Sequence, residues 1–76
     1  MPIDLFVLVQ VEKGEPWVIA KKILEIEGVK SAYAVTGQYD VISFAELSDA
    51  SELKNLIKKI HGVEGVQHTQ TAVCIP

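Results

Sequence analysis

With 76 residues the chain has room for one domain and a small core, and its single cysteine, Cys74, excludes a disulfide framework or a multi-cysteine metal site. A formal net charge of −3, with seven lysines and no arginine, argues against a reader of nucleic acid, which needs a basic face and guanidinium forks. No apolar run approaches the ~18–20 residues of a membrane span, and Met1-Pro2-Ile3-Asp4 carries no basic leader, so the expected location is the cytoplasm with no membrane partner.

Ile3 to Val11 is β-rich and apolar on both alternating faces, with Leu5, Val7, Val9 and Val11 on one and Phe6 and Leu8 on the other. A strand greasy on both sides is a central strand covered on both sides. Lys13-Gly14-Glu15-Pro16 is punctuation, with Pro16 suited to the first turn of a helix. From Trp17 to Ile26 the apolar stripe Ile19, Ala20, Ile23, Leu24, Ile26 predicts an amphipathic helix, with Lys21, Lys22 and Glu25 on its wet side and Gly28 as its stop. Val29 to Thr36 predicts a strand with Val29, Tyr33 and Val35 on one face. Gly37-Gln38 is a short turn, and Asp40 to Leu47 returns as the second strand of a hairpin.

Asp49 is a natural N-cap, and Glu52 three residues later completes a capping-box pattern. Leu53, Leu56, Ile57 and Ile60 have helical spacing, Gly62 stops that helix, and Gly65 to Ile75 supplies the last strand. The two halves echo each other: Glu27-Gly28-Val29 recurs as Glu64-Gly65-Val66, at an offset of 64 − 27 = 37 that should map all three element pairs onto each other. Two βαβ units with right-handed crossovers predict one α+β domain over residues 1–76. Its architecture is a ferredoxin-like βαββαβ sandwich, a four-stranded antiparallel sheet with two helices on one face.

The helices leave one sheet face bare although the inner strands are apolar on both. At ~25 cal/mol per Å² of apolar surface removed from water, covering several hundred Å² there contributes on the order of 10 kcal/mol before association costs. With 49% hydrophobic residues in so short a chain, a sheet-to-sheet dimer of the α/β-barrel type is the expected minimum unit.

Chemistry-bearing residues are sparse. His61 falls at the end of the second helix, where a cation suits the dipole, and His68 alternates with Thr69 on the last strand. Neither has a Cys-x-x-Cys or His-x-x-x-His companion, so no metal, no cofactor and no catalytic residue is expected. Cys74 in an apolar strand end reads as a small buried hydrophobe, and Trp17 and the tyrosines as packing residues or interface anchors. An RNA-recognition sheet would carry stacking aromatics beside basic residues, a copper chaperone paired cysteines, and an acyl-phosphate hydrolase an arginine; none is present.

One segment has unusual local chemistry. In Thr36-Gly37-Gln38-Tyr39-Asp40, Gly37 permits positive φ and close approach, Asp40 offers a carboxylate to an ammonium, and turn N–H groups suit a carboxylate. On the last strand Thr69 and Thr71 present two hydroxyls to one face. Together they have the groups to hold an α-amino acid; they also read as an ordinary hairpin turn with β-favouring threonines.

Val35-Thr36-Gly37-Gln38-Tyr39-Asp40 resembles the V-T-G-x-Y-D motif of the effector (RAM) domain of the Lrp/AsnC transcriptional regulators. Gly65-Val66-Gln67-His68-Thr69-Gln70-Thr71 is similar to that module's G-V-x-x-T-x-T strand, and the resemblance spans essentially the whole chain. It implies sheet-mediated dimers assembling further, commonly into octamers, with small amino-acid effectors at the contacts between dimers. Gly37, Tyr39 and Asp40 would then form the effector loop and Thr69 and Thr71 would add hydroxyls, with Thr36 and Gln38 as candidates by adjacency. The sequence begins directly at the first strand, so it is similar to stand-alone members lacking a helix-turn-helix. The expected function is an amino-acid-binding and oligomerisation module that modulates transcription by assembling with itself or a full-length Lrp/AsnC-type regulator, without touching DNA. The competing class is a small dimeric α/β-barrel enzyme of oxygenase or isomerase type, in which His61 or His68 would act inside an intradimer pocket.

Overall fold

The computed structural model describes all residues, Met1–Pro76. Strand β1 (Ile3–Val11) is followed by helix α1 (Pro16–Leu24), strands β2 (Val29–Ala34) and β3 (Val41–Leu47), a 3₁₀ turn (Ala50–Glu52), helix α2 (Leu53–His61) and strand β4 (Val66–Val73). The sheet is antiparallel throughout in the order β2-β3-β1-β4. This is the ferredoxin-like architecture, and no helix is long and apolar enough to cross a membrane.

Alternation along the two central strands builds the layers. Cross-strand partners share a face, and Leu5 opposite Ala45, Val7 opposite Ser43 and Val9 opposite Val41 all turn inward. Ile19, Ala20 and Ile23 of α1 and Leu56 and Ile60 of α2 close over them. Ser43 is the one buried polar residue, and its hydroxyl donates to the Val7 carbonyl at 3.0 Å. The intervening residues, Phe6 opposite Phe44 and Leu8 opposite Ile42, line the sheet face that carries no helix. The two phenylalanine rings lie 5.1 Å apart and tilted, and Phe6 remains 41% exposed.

Several boundaries differ from the sequence expectation. Helix α1 stops at Leu24, because Glu25 and Ile26 bond back three residues, to Lys22 and Ile23, and tighten the last turn. The hairpin connection is longer than Gly37-Gln38: β2 closes at Ala34 and β3 opens at Val41. The expected capping box forms, with Asp49 accepting from Ser51 N–H at 3.0 Å and Glu52 accepting from Asp49 N–H at 3.3 Å, but it starts the 3₁₀ turn that leads into α2.

The expected face sharing of Val29 with Tyr33 and Val35 is corrected by a bulge. Pairing with β3 slips between Val29 and Ser31, so Val29 faces the core while Tyr33, opposite Ile42, faces out and is 65% exposed. A matching slip lies between β1 and β4, where Gln10 pairs with His68 and Val11 with Val66. The extra residues, Lys30 and Gln67, are related by the internal offset of 67 − 30 = 37, so both halves carry the same bulge. For the strands β1 and β3 the offset itself needs correction. Ala32 opposite Ser43 corresponds to Thr69 opposite Val9, which makes the β1-to-β3 offset 43 − 9 = 34. The missing three residues are the 3₁₀ turn Ala50–Glu52, an insertion with no counterpart before α1.

Candidate functional site

β1 ends, β4 begins and the β2–β3 connection closes at the same end of the sheet, and the candidate residues gather there. The loop is pinned on both sides. Val35 N–H donates to the Asp40 carbonyl at 2.8 Å, and Asp40 N–H donates to the Val9 carbonyl at 2.9 Å. The Asp40 carboxylate accepts from Val11 N–H at 2.8 Å, satisfying a backbone donor that lies beyond the last β1–β3 pair, Val9 with Val41. One carboxylate oxygen of Asp40 thus has a structural task, and the other makes no hydrogen bond within the chain.

Within the loop Gly37 has φ +114°, a left-handed conformation, with no atom within 4 Å of where a side chain would start. Thr36 and Gln38 are exposed beside it, and the Gln38 carbonyl accepts from the Gln10 side chain at 3.1 Å. Tyr39 is half-buried, its hydroxyl donating to the Gln70 side-chain carbonyl on β4. Gln70 lies opposite Leu8 and belongs to the open sheet face.

Thr69 and Thr71 do share a face, but not that one. They lie opposite Val9 and Val7, which are fully buried, so they point to the helix side of the sheet. There the Thr69 hydroxyl sits 2.9 Å from His61 Nε2 at the end of α2. The structure therefore brings Thr36, Gly37, Gln38, Tyr39 and Asp40 together, joins Tyr39 to Gln70, and places Thr69 and Thr71 nearby on the opposite surface. Gln10 and Gln70 were missed by sequence reasoning, and His61, read there as a helix-end cation, was not linked to Thr69; period-two alternation opposite β1 was the available signal for Gln70.

The remaining chemistry is thin. Cys74 is exposed, correcting the expectation of a buried thiol: its N–H still bonds the Asp4 carbonyl at 2.8 Å, and the alternation that turns Val73 to the helix side turns Cys74 to the open face. Trp17, 60% exposed, is not a core residue. No three histidine, cysteine or acidic side chains converge as a metal site would require.

Chain order, sheet topology and a one-sided helix layer define the class, a ferredoxin-like α+β domain with its polar groups collected at one end of the sheet. Within that class the chain belongs to the Lrp/AsnC ligand binding domain family, whose sequence model matches residues 4–75. The HTH-type transcriptional regulator FL11 of Pyrococcus furiosus is 27% identical over 70 residues, 92% of this chain and 46% of the regulator. A homocitrate synthase of Sulfolobus acidocaldarius is 33% identical over 57 residues, 75% of this chain and 12% of the enzyme. The chain thus spans less than half of either relative. The crystal structure of TTHA0845 from Thermus thermophilus is 31% identical with TM-score 0.89, covering 97% of this chain and 94% of that one. A Neisseria meningitidis transcriptional regulator solved with L-Met shares the fold, with 21% identity, TM-score 0.82, and coverage of 97% of this chain and 50% of the regulator.

Proposed function

We propose that this chain is an amino-acid effector-binding and assembly module that acts on transcription by associating with itself and with Lrp/AsnC-type regulators, without contacting DNA and without bond chemistry of its own. The carrying observation is the ligand-binding-domain match over residues 4–75, together with the pinned loop at whose apex Gly37 stands free of neighbours. The loop supplies a partly free carboxylate at Asp40, and β4 supplies hydroxyls at Thr69 and Thr71. These groups complement an α-ammonium and an α-carboxylate. Because the Tyr39 side of the loop and the two threonine hydroxyls lie on opposite sheet surfaces of one chain, a cleft that uses both is completed by a neighbouring copy. An effector in such a cleft stabilises only the assembly that forms it. The L-Met complex of the Neisseria regulator supports the ligand class, and the stretch shared with homocitrate synthase supports a sensing role separable from DNA binding.

The test is a panel of the twenty amino acids followed by thermal denaturation and size exclusion. An effector at about 100 times its Kd adds ~2.7 kcal/mol, a rise of roughly 10 °C or more for a domain this small. Indifference of both readouts to all twenty contradicts the proposal. The competing enzyme reading has one observation in its favour, His68 opposite Gln10 on the open face. No hydrogen bond orients that ring, whereas a catalytic histidine needs one to fix its tautomer.

A further inference from the structure

We propose that His61 is a positioning residue that sets the specificity and pH response of the effector cleft, by deciding which end of the Thr69 hydroxyl faces the ligand. This rests on the reading of Thr69 as an effector contact. His61 is the last residue of α2, and its Nε2 lies 2.9 Å from Thr69 Oγ1. Thr69 is half-buried on an edge strand, with Thr71 two residues on along the same surface.

A threonine hydroxyl has one proton to give and two lone pairs to offer. With the neutral ring as the Nδ1–H tautomer, His61 Nε2 accepts the Thr69 proton and the oxygen shows a ligand only lone pairs, which suit an ammonium. When the ring is imidazolium, Nε2 donates, the hydroxyl proton is released outward, and Thr69 becomes a donor for a carboxylate. Histidine is the side chain that changes charge between about pH 5 and 8. The helix side of β4 presents Val66, Thr69, Thr71 and Val73, none of them charged. Lys58 stands one turn back on α2, and Glu64 lies in the connection to β4. His68 points to the other sheet surface and does not enter.

Asp40 is the partner for an ammonium, which leaves the paired hydroxyls Thr69 and Thr71 for the carboxylate. The cleft therefore binds amino acids more tightly when His61 is protonated.

The experiment is the twenty-amino-acid panel on the full chain at pH 5.5 and pH 8, followed by titration calorimetry with each amino acid that binds. One hydrogen bond corresponds to about three- to tenfold in Kd, so wild type is expected to bind that much more tightly at pH 5.5. H61Q, which keeps a hydrogen-bonding side chain but cannot titrate, flattens the profile; H68Q retains it. T69V flattens it as well, and T69S restores it. A flat or inverted wild-type profile, or one that H61Q leaves unchanged, overturns the role of His61 while effector binding stands. Absence of binding by any amino acid at either pH removes the effector reading, and this inference with it.

Discussion

Of the five glycines, Gly65 leaves the least room for a side chain. With φ +100°, a Cβ there would lie 2.2 Å from the Lys13 carbonyl oxygen and 2.9 Å from the Ile19 side chain. Its own carbonyl accepts from Glu12 N–H at 2.7 Å, tying the β1–α1 connection to the start of β4. Strain and overlap together make Gly65→Ala cost about 3 kcal/mol or more. Gly37, at φ +114° with open space around it, meets strain alone, so Gly37→Ala costs about 1–2 kcal/mol. Urea denaturation at one fixed protein concentration should rank the two variants in that order. At Asp40 the sequence offers a carboxylate as a candidate partner for an ammonium; the structure shows that one of its oxygens holds Val11 N–H. Asp40→Ala orphans that donor and costs about 1–3 kcal/mol. Asp40→Asn keeps an acceptor and removes only the charge, so it should lose effector binding while melting within a few degrees of wild type.

The 3₁₀ turn that leads into α2 shows how an element's start can be written in two residues, Asp49 and Glu52. Asp49 is held below its ordinary carboxyl range, chiefly by hydrogen bonding from Ser51, side chain first and backbone second, and also by the amino terminus of Met1 3.2 Å away. A carboxylate whose pKa falls on folding contributes stability above its unfolded pKa and loses it as pH drops through the folded value. Asp49→Ala should therefore unfold at lower urea than wild type at neutral pH. The gap should close as the solution is acidified through the carboxylate range; a gap independent of pH contradicts the capping role. The capping box, Pro16 at the start of α1 and the alternation of β1 and β3 were all legible, because each depends on near neighbours in sequence. The bulges at Lys30 and Gln67 were not, because a backbone slip leaves no side-chain signature. Their consequence reaches the site. Alternation alone placed Thr69 and Thr71 on one face, but only the register against β1 shows that this face is opposite to Tyr39 and Gln70.

On the scale of the molecule, one sheet surface is roofed by helices and the other is not. Phe6, Leu8, Ile42 and Phe44 run along the middle of the open surface, with Tyr33 on the β2 side and Ala72 on the β4 side. The polar residues Gln10, His68, Gln70 and Tyr39 collect toward the end that carries the β2–β3 connection. A surface so divided suits apposition of two copies, apolar strip on apolar strip. The same apposition would bring a second chain close to the β2–β3 connection. Phe6→Lys would place an ammonium in the middle of the covered strip and should yield the monomer, with a lower melting temperature. Sedimentation velocity of the wild-type chain at micromolar concentration is the most direct measurement. Particles of at least twice 8.3 kDa, reduced to single chains by Phe6→Lys, are the predicted outcome. A folded wild-type species at 8.3 kDa contradicts the account.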